Sequence, residues 1–172
     1  MLDIAVAYNR FKFLGLEFLT WLWFSIDTDT GSPPETKNLS IGNRIVLENR
    51  QNNRIESLMI KGDDAGLEEG LLALRKGAVV TEINIVYTEG NNHKWQFLLK
   101  GEGLTIHQIK HPDIGTMESS EDLDAFLFEK THHYQKILDL LDTLFSAFIL
   151  LRLSEQWSTR VVSDMKRWIS QS

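Results

Sequence analysis

Between Leu39 and Lys110 the apolar residues of this chain recur every second position, and on both flanks they recur every third and fourth. That double switch constrains the fold more than any other feature. A strand turns its side chains to opposite faces at each residue, whereas a helix returns to one face every ~3.6. "LSIGNRIVLEN" and "NRIESLMIKG" flank the polar tip "RQNN", Arg50 to Asn53, and read as a hairpin. "DDAGLEEGLLALRKG" interrupts the strands with a short helix. Asp63 or Asp64 caps it, Leu67, Leu71, Leu72 and Leu74 form its apolar stripe, Arg75 and Lys76 close its last turn, and Gly77 ends it. "AVVTEINIVYTEG", "HKWQFLLKG" and "LTIHQIK" then read as three further strands. The order strand, strand, helix, strand, strand, strand describes an α+β fold: a small antiparallel sheet with one inserted helix.

The flanks are helical. "FKFLGLEFLTWLWF", Phe11 to Phe24, gathers two of the five tryptophans and four of the nine phenylalanines into fourteen residues. Fourteen helical residues span about 21 Å, short of the ~30 Å hydrocarbon core of a bilayer. Lys12 and Glu17 lie inside the stretch, so it is a core element and not a membrane span. Nothing in it has the shape of a signal peptide. "DTDTGSPPETKN", Asp27 to Asn38, is a loop and the best boundary in the chain. Beyond His111-Pro112, Ser119 or Ser120 caps a helix with Glu121, Asp122 and Asp124 in its first turn. Tyr134 to Leu153 places Ile137, Leu138, Leu141, Leu144, Phe145, Phe148, Ile149 and Leu151 at core phases, and a last helix starting at Ser154 carries Trp157, Val161, Met165, Trp168 and Ile169. The 172 residues thus form one domain: an N-terminal helix over 1–26, a strand-rich core over 39–110 and C-terminal helices over 119–171.

Chemistry-bearing patterns are few. With no cysteine, disulfides, thiol catalysis and Cys-ligated zinc are excluded, and a cytoplasmic location is expected. The chain lacks a dinucleotide fingerprint, a P-loop, a nucleophile elbow and a His-Glu-x-x-His helix. His107 and His111 are four apart, but on a strand they diverge. His132 and His133 read as a solvated pair on a helix surface, since neighbours on a helix do not share a face. No enzyme activity, metal or cofactor is therefore expected, although carboxylates gathered from distant segments could still build a two-metal nuclease site.

The formal charge is −6, unevenly spread: residues 1–36 carry −3, residues 37–110 carry +1 and residues 111–172 carry −4. A polyanion would therefore meet the middle segment. Arg50 and Arg54 bracket a hairpin tip of three amides, Gln51, Asn52 and Asn53, with Asn49 just before them, a donor set suited to phosphates; the competing reading is a merely solvated tip.

"IGNRIVLEN", the helix ending "ALRKGAVVTEINIVY", and "KWQFLLKGEGLTIHQIKHP" together resemble the C-terminal half of the recombination-associated RdgC family of bacteria, in a short form. Gly77, Val79, Val80 and Thr81 match its turn, and Trp95, Phe97 and Leu104 its strands. "LEFLTWLWF" and "LLDTLFSAFILLRLSEQW" are similar to the flanking helices of some longer members, so the likeness covers about Leu16 to Trp168. The resemblance implies a non-enzymatic protein that binds double-stranded DNA without sequence preference, as a ring-shaped dimer that modulates recombination, at the nucleoid. Arg44, Arg50, Arg54, Lys61, Arg75, Lys76 and Lys94 are the DNA-binding candidates from charge and topology. Phe11, Phe18, Trp21, Trp23 and Phe24 are candidates for a subunit interface, against the alternative that they pack inside the chain. The reading from another class is a protein-interaction or oligomerisation module, in phage or defence biology, that keeps the fold without binding DNA.

Overall fold

The computed structural model describes residues 4–30, 33–51, 54–60, 64–90, 93–114 and 122–171. Helix α1 spans Ile4–Asp27, strands β1 and β2 span Leu39–Gln51 and Arg54–Ile60, and helix α2 spans Asp64–Arg75. Strands β3, β4 and β5 follow at Val79–Glu89, His93–Lys100 and Thr105–Lys110, then helices α3 at Leu123–Arg152 and α4 at Val162–Ser170. The α+β class expected from the periodicity is the class observed. The five strands form one antiparallel sheet in the order β2-β1-β3-β4-β5. No described helix is long and apolar enough to cross a membrane.

Alternation divides the sheet. Ile45, Leu47, Ile60, Val80, Ile83, Ile85, Tyr87, Trp95, Phe97 and Leu99 join the core shared with the helices. Val46 and Leu98 are as buried but stand outside that core, on the opposite face. Two irregularities adjust the alternation. Between Ile41, opposite Ile85, and Ile45, opposite Ile83, β1 carries two extra residues; between Glu82 and Val80, β3 carries one.

Helix α1 is the centre of the helical layer, and this corrects the interface expectation. Phe18 packs on Phe145 and Phe148, with ring centroids 5.3 and 5.5 Å away. Trp21 meets Phe148 at 5.5 Å, and Trp168 of α4 meets Trp23 at 5.2 Å and Phe24 at 5.6 Å. Phe18, Trp21, Trp23 and Phe24 are thus covered by the chain's own α3 and α4, which removes them from any docking surface; Phe11 alone of the five is exposed. At about 2 kcal/mol or more for each large apolar side chain buried, these rings are a main source of stability.

Other boundaries follow local chemistry. α2 ends in a Schellman motif: Gly77 adopts φ 90°, its N–H bonds Leu74 O, and Ala78 N–H bonds Ala73 O. Leu74 is buried as expected, whereas Leu72 is exposed, one residue off the stripe that faces Ile60 and Trp23. In α3 the buried phase is His133, Ile137, Leu140, Leu144 and Phe148, so Leu138 faces outward instead of into the core. The last helix does not begin cleanly at Ser154: a turn there leads through one π turn, Trp157–Val161, into α4. A 3₁₀ turn, Pro34–Asn38, orders part of the expected loop. The caps expected of Asp63, Ser119 and Ser120, with Glu121, lie outside the described residues.

Candidate functional site

The face of the sheet turned away from the helices gathers positive charge. Along β4, Lys94, Gln96, Leu98 and Lys100 alternate with the core residues Trp95, Phe97 and Leu99. On β5, Thr105 pairs with Lys100, His107 with Leu98 and Lys110 with Gln96, which sets these residues on the same face. On β3, Glu82 stands opposite Lys100 and also opposite Val46 of β1. Its carboxylate accepts from Arg44 Nη2 at 2.6 Å and pairs with Lys100 Nζ at 3.1 Å. Asn84, buried beside it, donates to Phe97 O at 3.3 Å and accepts from Gln96 Nε2 at 2.7 Å. A Cβ on Gly42 would stand 1.9 Å from Asn84 Oδ1, so the bulge of β1 needs glycine there. Four cations, Arg44, Lys94, Lys100 and Lys110, thus share one surface with the carboxylates of Glu82 and Glu48. Glu82 fixes two of them in place, and the amides of Asn84 and Gln96 are already committed to each other.

The residues nominated from sequence do not form one patch. Arg44 and Lys94 lie on this face. Arg75 and Lys76 lie at the end of α2 in the helical layer, where Arg75 Nη2 donates to Ile169 O at 3.0 Å and ties α2 to α4. Lys76 is exposed, and its carbonyl accepts from Asn49 Nδ2 at 3.4 Å. Arg50 pairs with Ile55, and Arg54 with Gln51, at the end of the hairpin; their side chains lie outside the described residues, as does all of Lys61. Lys100 and Lys110 were not nominated. The two-residue spacing from Lys94 to Lys100 was the available signal for the first; nothing local aligned Lys110 with Gln96.

A second constellation surrounds Trp95. Its indole N–H donates to His133 Nδ1 at 3.2 Å, and the His133 ring lies parallel to that of His111, 1° between planes and 5.3 Å between centroids. His93 and Tyr87 flank Trp95, and the Lys136 ammonium sits 5.2 Å from its ring centroid while bonding Glu89. Burial, then the neighbouring His111, pushes the His133 pKa down. The Lys136 bond holds Glu89 below the ordinary carboxylate value, and burial followed by Glu89 raises Tyr87. The solvated pair expected at His132-His133 is therefore corrected: His133 is buried and bonded, and only His132 is exposed. Among the described residues no three His, Asp or Glu side chains converge to hold a metal ion.

An apolar groove of about 460 Å³ opens between α1, the α2–β3 turn and α4. Phe13, Leu16, Ala78, Trp157, Met165 and Ile169 line it, with Glu17 and Lys166 also at its walls. Compared with known proteins, the chain matches no family model and no curated sequence.

Proposed function

We propose that this chain is a non-enzymatic module that takes double-stranded DNA on the face of its sheet turned away from the helices, without base-specific contacts, and so modulates recombination as the RdgC resemblance implies. The observation that supports this reading is the gathering of Arg44, Lys94, Lys100 and Lys110 on one face of a chain whose net charge is −6. Lys94 to Lys100 extends roughly 20 Å along β4, long enough to follow several successive phosphates of a duplex. Lysine and arginine at such positions bind phosphates through charge and displaced counterions and carry no sequence information. Four phosphate contacts give a log–log salt slope of about −3.6, a fall of about 10²-fold in affinity between about 50 and 200 mM salt.

The test is anisotropy of a fluorescent duplex of about 30 base pairs at two salt concentrations, with Lys94→Glu/Lys110→Glu and Arg50→Glu/Arg54→Glu alongside. Salt-steep binding lost in the first double variant is expected; the second reports whether the hairpin tip extends the surface. Absence of binding at low salt, or binding indifferent to Lys94→Glu/Lys110→Glu, overturns the reading.

A second reading, self-association, is supported by the distribution of exposed apolar side chains. Of the eleven large hydrophobic residues exposed among the described residues, six lie on α3 and a seventh, Leu153, caps it. Leu127, Tyr134 and Leu138 fall on one stripe of that helix, beside its buried phase. A second copy of the chain packed there would form the expected homodimer. Sedimentation of the wild type against Leu127→Ser/Leu138→Ser checks it: a wild-type monomer, or a dimer unchanged by the substitutions, rules it out.

A further inference from the structure

The first half of α3 is held to the body by one buried side chain, His133, with the partly exposed Lys136–Glu89 pair and the edge of Tyr134 on His111 beside it. From Leu123 to Lys136 every residue is exposed or partly exposed except His133, and the continuous buried phase starts only at Ile137. We propose that the stack of His111 and His133 on Trp95 is a pH-sensitive clasp, closed when the rings are neutral, whose protonation frees residues 123–136 of α3 from the sheet.

The geometry fixes the chemistry. An indole N–H can only donate, so His133 Nδ1 must be the unprotonated nitrogen and Nε2 carries the hydrogen. His111 Nδ1 lies 2.8 Å from Pro112 O, an acceptor, so its hydrogen is on Nδ1. A proton added to His133 at Nδ1 sets two donors against each other across 3.2 Å. It also places an imidazolium against the parallel face of the His111 ring.

The groups that face His133 add to this. His111, from the connection between β5 and α3, His93 from β4 and His132 from α3 all oppose its charge, and Glu129 one turn back on α3 favours it. Across Trp95, the Lys136 ammonium is a further cation, partly offset by Glu89 of β3, with Tyr87 beside them. Three of the four neighbouring titratable groups therefore resist a proton on His133. Protonation thus removes the buried hydrogen bond and leaves this part of the helix to the partly exposed Lys136–Glu89 pair, a weak tie in water.

The experiment follows amide protection of residues 123–136 by hydrogen exchange, corrected for intrinsic rates, from pH about 7.5 to about 5, a range that spans the ordinary histidine titration. Protection is expected to fall by up to about tenfold per pH unit below about 6.5, while protection of residues 137–150 stays unchanged. His133→Phe keeps a ring on Trp95 and should remove the pH dependence; His132→Phe should leave it intact. Should His133→Phe fail to fold, the wild-type imidazole nitrogen signals decide. A neutral Nε2–H ring that titrates together with the exchange step supports the clasp. A His133 that titrates at or above the ordinary value, or protection of 123–136 that ignores pH, overturns it.

Discussion

Trp168 donates its indole N–H to Asp27 Oδ2 at 2.6 Å, joining residues 141 positions apart. The bond pins α4 across the end of α1, where the same indole packs edge-on against Trp23 and Phe24. Trp168 is buried but Asp27 is exposed, so water can replace part of the lost acceptor once the carboxylate is removed. Asp27→Ala should therefore cost about 0.5–1.5 kcal/mol, the net range for an ordinary hydrogen bond, read by urea unfolding. Asp27→Asn, which keeps an acceptor oxygen, should cost less. Equal losses for both would show that the bond contributes nothing beyond the packing.

Gly15 marks the closest approach of α1 to the turn between β4 and β5. A Cβ there would lie 1.8 Å from the Gly101 carbonyl oxygen, a backbone atom that cannot swing aside. On an open helix Gly→Ala gains up to about 1 kcal/mol. Here the clash should reverse the sign, with Gly15→Ala lowering stability by about 1–3 kcal/mol. Gly77 is a useful contrast. Nothing lies within 4 Å of its missing Cβ, but its φ of 90° strains any side chain. Gly77→Ala should thus cost only about 1–2 kcal/mol of backbone strain. A stabilised Gly15→Ala would contradict the close approach.

Global stability should fall in two acid steps. His133 has a folded pKa below its unfolded value of about 6.5, so its contribution is complete above that pH and is lost as pH falls toward the depressed folded value. Glu89 has a folded pKa below the ordinary carboxylate value of 4.5, so its contribution is present above that pH and is lost as pH falls through the folded one. Glu89 is half exposed, so salt should shrink the second step and leave the first. Lys136→Met should abolish the second step. Urea titrations from pH about 7.5 to about 3 check this; stability flat down to pH about 5 would contradict the first step.

Glu82 restrains the positive face by holding both Arg44 and Lys100. Glu82→Gln keeps the shape and removes one negative charge. Duplex affinity at low salt should then rise several-fold, with a log–log salt slope steeper by up to about 1 per lysine or arginine released to a phosphate. An unchanged or weaker affinity in a folded Glu82→Gln variant would place the DNA away from this face.

How much of this protein could be read from its amino acids depends on whether the governing relation is local. The switch of period at Leu39 and again after Pro112, the helical stop at Gly77, and the apolar run of α1 each rest on residues a few positions apart, and each appears in the structure. So did Arg44 and Lys94, two of the four cations of the candidate site. Tertiary structure alone decided the rest. It chose β1, not β2, as the partner of β3, and so set Arg44 opposite Glu82. The register of β5 on β4, with its shift between Gln96 and Leu98, brought Lys110 to the same face. His133 left the helix surface because Trp95, 38 positions earlier, presented a donor where α3 crosses the sheet. Such pairings join segments whose spacing along the chain carries no information about their register. Helical and strand periods are dictated by backbone geometry within one segment, whereas these contacts exist only once separate segments have packed.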